Sequence, residues 1–160
     1  MNMIGYAAAI IGIVTGIAGI IFGLQSNRQL TLQVVKMFFE ESDALELSDK
    51  RKKLYDSGDS GTVIDVHDRD VRCIIAFYEK WSILEYKGYL PIWVFEGAAG
   101  AGVIKQFDIL DKKILRENNE MKSYFDERRV YNKFYGKNFE RLTNKIKNKY
   151  PELLNWKDGN

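Results

Sequence analysis

The stretch GAAGAGVIK, residues 97–105, is the first place in this 160-residue chain where chemistry could reside. Gly97, Gly100 and Gly102, followed by Lys105, could let backbone amides approach a phosphate. A phosphate-binding P-loop, however, needs GxxxxGK[ST], with the final hydroxyl placed on magnesium. The glycine spacing here is different and Gln106 follows the lysine. The segment reads instead as a close contact between helices, with nucleotide binding as a lesser alternative. DVHDRD, residues 65–70, gathers Asp65, His67, Asp68 and Asp70. One histidine among neighbouring carboxylates is not a metal-ligand spacing, and acids in the first turn of a helix are explained by capping and the macrodipole. Glu79 and Glu85, six residues apart on a helix, read as solvated charges and not as an acid–base pair. Cys73 reads as a small buried apolar residue. No catalytic residue, no metal ligand and no cofactor is expected, and the chain is not expected to be an enzyme.

The elements that would position these residues divide sharply in composition. All 24 Lys/Arg and all 22 Asp/Glu lie after residue 27, and the formal net charge is +2. Residues 3–24 form an uncharged run that spans about 33 Å as a helix, against roughly 30 Å of bilayer hydrocarbon. A cleaved signal peptide would carry a basic n-region and a shorter apolar core. Met1 and Asn2 supply no basic charge, so the run reads as a transmembrane helix.

Within it Gly5, Ala9, Gly12, Gly16, Gly19 and Gly23 recur at intervals of 4, 3, 4, 3 and 4. That is the 3.5-residue period of a left-handed helix seam. Lipid offers no hydrophobic force to join helices, so small residues that permit close backbone approach take that role. The stripe is expected to be a face for homo-oligomerisation. Ile10, Val14, Ile17, Ile21 and Leu24 cover the other side, suited to the lipid bilayer. Arg28, Lys36 and the cluster Lys50, Arg51, Lys52 and Lys53 follow the span and nothing basic precedes it. The positive-inside rule then places the N-terminus outside and the rest in the cytoplasm, at the inner membrane.

Beyond the span the apolar period is helical nearly throughout. One helix is predicted from Asn27 to Tyr55 as a stalk, a loop at SGDSGT, and a second helix over about Val66–Tyr86 with Gly88 at its end. A helix with Ile104, Phe107, Leu110 and Ile114 on one side follows, then a last amphipathic helix over about Tyr124–Tyr150. The expected fold is all-α: a transmembrane anchor (1–26), a stalk or first cytoplasmic helix (27–56), a small helical bundle (63–152) and a tail (153–160).

The last predicted helix carries Arg129, Lys133, Lys137, Arg141, Lys145 and Lys149 at intervals of four. Tyr131, Tyr135, Phe139, Leu142, Ile146 and Tyr150 form its apolar face. A solvated cationic face is the plain reading; contact with anionic lipid headgroups is the functional one. Nucleic acid is not expected as a partner.

The order SNRQLTLQVVKMFFE, then IIAFYEKWSILEYKGYLPIWVF, then YNKFYGKNFERL, behind a bare N-terminal anchor, resembles a bacterial domain-of-unknown-function family of small single-pass membrane proteins. The likeness covers about residues 1–145 and lies in order and pattern, most of all in Phe77, Glu79, Trp81 and Gly88. It implies a membrane-anchored helical domain and supplies no activity. The expected function is a non-enzymatic membrane-anchored interaction module that self-associates and binds an as yet unknown protein partner. The alternative is an oligomeric effector that makes the bilayer leaky.

Overall fold

The computed structural model describes residues 23, 25–65, 67–115 and 120–156. Its architecture is all-α, with six α-helices among the described residues. Helix α1 occupies residues 25–42 and breaks at Asp43 and Ala44. Arg51 closes that break, its Nη1 donating to the Ser42 carbonyl at 2.8 Å and to the Ser42 hydroxyl at 3.0 Å. Helix α2, Leu45–Ser60, ends at Gly61, whose φ of 67° is open to glycine at no steric cost. Helix α3, Arg69–Tyr86, starts where the Asp68 carboxylate accepts from the amides of Asp70 and Val71. It stops at Gly88: the Gly88 amide donates to the Glu85 carbonyl and the Tyr89 amide to the Leu84 carbonyl, the paired bonds of a Schellman end.

After a 3₁₀ turn at Ile92–Phe95 comes α4, Ala98–Asp111. Ile114–Leu115 then pairs antiparallel with Met121–Lys122, a two-residue ladder. Helix α5, Tyr124–Tyr131, opens on a capping box between Ser123 and Asp126. Helix α6, Lys137–Lys149, and a 3₁₀ turn at Pro151–Asn155 complete the fold.

Aromatic rings at the centre set the helix directions. Phe38 of α1 meets Phe77 and Trp81 of α3 at centroid distances of 5.8 and 5.2 Å, and Phe95 at 5.3 Å. Three residues further on, Glu41 accepts from Lys80 and from the Trp81 indole N–H, so the end of α1 is held against the Phe77–Trp81 turn of α3. On α2, Arg51 lies over the rings of Phe77 and Tyr78 while Lys53 reaches back to Asp70; that pairing is antiparallel. Helix α6 is parallel to α3, with Asn138 against Glu79, Arg141 against Ser82 and Lys145 against Glu85. Tyr78 stacks on Phe139 at 4.5 Å between them. Trp81, Phe95, Phe125, Phe139, Leu142 and Ile146 are fully buried. Burying a side chain of this size contributes roughly 1.5–3 kcal/mol, which makes this layer the main source of stability.

Four predicted features differ in the structure, the first being SGDSGT, predicted as a loop but helical through Ser60. The stalk helix of 27–56 is two helices, and the second half of α1 is not free but buried through Val35 and Phe38. The helix carrying Ile104 ends at Asp111, where Lys112 turns to extended backbone, so Ile114 lies in the short ladder. The last amphipathic helix is also two. Asn132 is extended, and Gly136 takes a φ of 71° with Phe125 filling the place of a Cβ, 2.4 Å from where one would stand. Tyr131 is consequently exposed, whereas Phe139, Leu142, Ile146 and Tyr150 are buried as the apolar face requires. Among the described residues no helix is long and apolar enough to cross a membrane. The uncharged run lies outside them, apart from Gly23.

Candidate functional site

The polar residues with the most definite geometry form a seam between α3 and α6. Helix α6 begins at Gly136 and has no capping side chain of its own. Glu79 supplies one from α3: its Oε1 accepts from the Phe139 amide at 2.9 Å and its Oε2 from the Asn138 side-chain amide at 2.8 Å. A carboxylate at this end also opposes the positive pole of the helix. One turn on, Arg141 Nη2 donates to the Ser82 carbonyl at 2.8 Å and to its hydroxyl at 3.1 Å. The guanidinium carbon sits 4.3 Å from the Tyr86 ring centroid. One turn further, the Lys145 ammonium donates to Glu85, whose side chain is 4% exposed. Glu79 and Glu85 are therefore not the solvated charges expected from their spacing; both are committed to α6. Six residues apart, they span about 120° of a helix surface, and a parallel neighbour covers that arc.

The six cations read as one stripe fall on three elements. Arg129, on α5, donates to the Tyr135 carbonyl at 3.0 Å and to Glu140 at 2.8 Å, and covers the Phe125 ring. Lys137 shares the same Glu140 oxygen at 2.9 Å. Burial opposes the Glu140 charge, but the contacts from Lys137 and Arg129 outweigh it and hold that carboxyl below its usual range. Lys133 lies in the turn before α6, over Phe134, and Lys149 is exposed at the helix end. So Arg129, Arg141 and Lys145 serve the fold, while Lys133 and Lys149 extend into water.

The consequence is measurable. Lys145→Gln leaves the buried Glu85 carboxylate without its cation and is expected to lower stability by about 1.5–3 kcal/mol. Lys149→Gln is expected to stay within about 0.5 kcal/mol. Thermal melts of the two variants decide it; equal melts would mean that Lys145 is solvated after all.

In the small-residue segment, Gly97 has a φ of 68° and precedes α4. A Cβ on Gly100 would stand 2.0 Å from the Phe95 carbonyl oxygen. The segment thus makes a close contact, with the chain's own 3₁₀ turn as the neighbour. In DVHDRD, Asp68 caps α3, Asp70 pairs with Lys53 at 2.8 Å and Asp65 accepts from the His67 amide at 2.7 Å. The bond from Lys53 holds the Asp70 carboxyl below its ordinary range. Among the described residues no group of His, Cys, Asp and Glu could hold a metal ion. Cys73 is half-buried and not fully in the core.

A feature that sequence reasoning missed is a cavity of about 310 Å³ where the end of α1 meets α2, α3 and α4. Arg51, Tyr55, Tyr78 and Gln106 give it polar walls. Gln106 is buried, and its Nε2 donates to the Tyr55 hydroxyl and the Gly102 carbonyl, both at 2.9 Å. Burial pushes the Tyr78 hydroxyl up to about 12. The available signal was Gln106 itself, a polar residue on the same side of α4 as Val103 and Leu110. The glycine seam takes no part in any of this. Gly5, Ala9, Gly12, Gly16 and Gly19 lie outside the described residues, and Gly23 is exposed, with nothing within 4 Å of where a Cβ would stand.

Comparison with family models, with curated proteins and with solved structures finds no match to this chain.

Proposed function

We propose that this protein is a membrane-anchored interaction module. Residues 3–24 cross the inner membrane with the N-terminus outside, the glycine stripe joins copies of the span, and the helical bundle works in the cytoplasm. The observation that carries this reading is α1. Directly after the uncharged run, residues 25–30 are exposed on every side, while Val35 and Phe38 are buried in the core. One helix therefore both leaves the bundle and is held by it. The stretch ahead of its buried face, residues 25–33, is a spacer of about 14 Å.

At the far end of α3, Tyr86, Tyr89 and Trp93 are exposed. Large aromatics of this kind are enriched where proteins bind one another, and the interaction part of the proposal rests on them. An inserted span with a cytoplasmic bundle gives an inactive C-terminal alkaline phosphatase fusion and a bright C-terminal fluorescent-protein fusion; the reverse pattern overturns the orientation. Gly12, Gly16 and Gly19 changed together to Ile keep the span apolar while blocking close approach. A membrane two-hybrid signal is expected to fall in that variant. An unchanged signal removes the span from self-association.

A further inference from the structure

The cavity of about 310 Å³ between the end of α1 and helices α2, α3 and α4 is lined by two buried polar groups that the fold does not use. The first belongs to Gln106, which is 2% exposed and whose Nε2 donates to the Gly102 carbonyl and the Tyr55 hydroxyl. A carbonyl can only accept, so the bond to Gly102 fixes which end of the amide is nitrogen. Oε1 is the other end, and it is buried with no donor. The second group belongs to half-buried Arg51. Its Nη1 is committed to Ser42, and its Nε is buried with no acceptor. The guanidinium lies over the Phe77 and Tyr78 rings, and among the described residues no carboxylate pairs with it. A buried donor or acceptor left unpaired is costly, and here one of each borders the same space.

The rest of the lining says what would satisfy them. Asp43 borders the cavity from the break after α1, with its side chain exposed. Phe38, Phe39, Tyr78 and Val103 make the apolar wall. One cation with a spare N–H, one anion, one spare carbonyl oxygen and an aromatic wall are complementary to a zwitterion that has an apolar side chain. At about 310 Å³ the space is at the small end of ligand pockets, which run from roughly 300 to 1,000 Å³. That suits one amino acid and is too small for a nucleotide.

We propose that this cavity binds a free α-amino acid with an apolar side chain. The carboxylate accepts from Arg51 Nε, the ammonium donates to Gln106 Oε1 and Asp43, and the side chain lies against Phe38 and Val103. Ser42 and Asp43 belong to the break between α1 and α2, so an occupant fastens the end of α1 to the bundle. The proposal uses the bundle alone and is independent of the membrane span.

The test is a thermal melt of the full chain in detergent micelles with added leucine or phenylalanine. Two controls are isocaproate, which lacks the ammonium, and leucinamide, which lacks the carboxylate. The melt is expected to rise with the concentration of at least one amino acid and to stay level with both controls. Amide exchange at residues 42–44 is expected to slow with the same amino acid. Asp43→Asn is expected to weaken binding about tenfold, the scale of a hydrogen bond to a charged group. Ala99→Leu, which fills the cavity from α4, is expected to abolish it. Asp43 is exposed and Ala99 borders the cavity itself, so the melts of both variants without ligand should stay close to the parent's. No rise with either amino acid overturns the proposal and leaves Gln106 Oε1 and Arg51 Nε to water. An equal rise with isocaproate or leucinamide overturns the zwitterion as ligand. A rise that survives both substitutions overturns the cavity as its site.

Discussion

Gly100→Ala is expected to destabilise the bundle by at least about 3 kcal/mol, the upper end of the cost of overpacking. The new Cβ would stand 2.0 Å from the Phe95 carbonyl oxygen and 2.8 Å from Leu153 Cδ1. The leucine can rotate away; the carbonyl cannot without moving the 3₁₀ turn that holds buried Val94 and Phe95. Two residues on, Gly102→Ala has its nearest neighbours at 3.6 and 3.7 Å, ordinary contact distances. There the helix gains what glycine costs, up to about 1 kcal/mol. The pair separates close packing from a phosphate loop: thermal melts are expected to move in opposite directions, down by about 10 °C for Gly100→Ala and level or upward for Gly102→Ala. A melt for Gly100→Ala equal to the parent's would mean that α4 and the 3₁₀ turn are further apart than described.

Phe38→Ala is expected to cost about 3–5 kcal/mol, the usual range for removing a buried phenyl ring. Phe38 is 2% exposed and touches the rings of Phe77, Trp81 and Phe95, so the vacated space borders three large side chains that are fixed from other sides. The loss falls first on α1. Amide exchange over residues 34–42 should accelerate well before that of α3 and α6, because those two helices keep the Glu79, Arg141 and Lys145 contacts. Leu32→Ala, at a position 63% exposed, should change little. If exchange in 34–42 is unaltered by Phe38→Ala, α1 is held by something other than this ring. Retention of the Phe38 variant in membranes would separate anchoring from folding.

Helix α3 was legible because its signals are local. Asp68 and Gly88 mark its ends, and Val71, Ile74, Ile75, Tyr78 and Trp81 repeat on one side; all five are buried. The break after α1 was not legible: Ser42, Asp43 and Ala44 include neither glycine nor proline, and the carbonyl freed there is taken by Arg51, nine residues away. The break before α6 had a sign in Gly136, but Arg129, Lys133 and Lys137 happened to keep a four-residue period across it. The α3–α6 seam was hidden for a different reason. Glu79, Ser82 and Glu85 meet partners 59 or 60 residues further along the chain, and no local pattern encodes that register. Isolated charges in a sequence look solvated until a neighbouring helix is placed against them.

The most direct measurement of the central claim is a membrane fractionation of the full chain, washed with alkaline carbonate. Peripheral proteins are stripped by that wash and a spanning helix is not, since removing it would expose the whole apolar surface of residues 3–24 to water. The expected result is quantitative recovery in the washed pellet. Release into the supernatant would contradict the anchor, and with it the account of α1 as the link between bilayer and bundle.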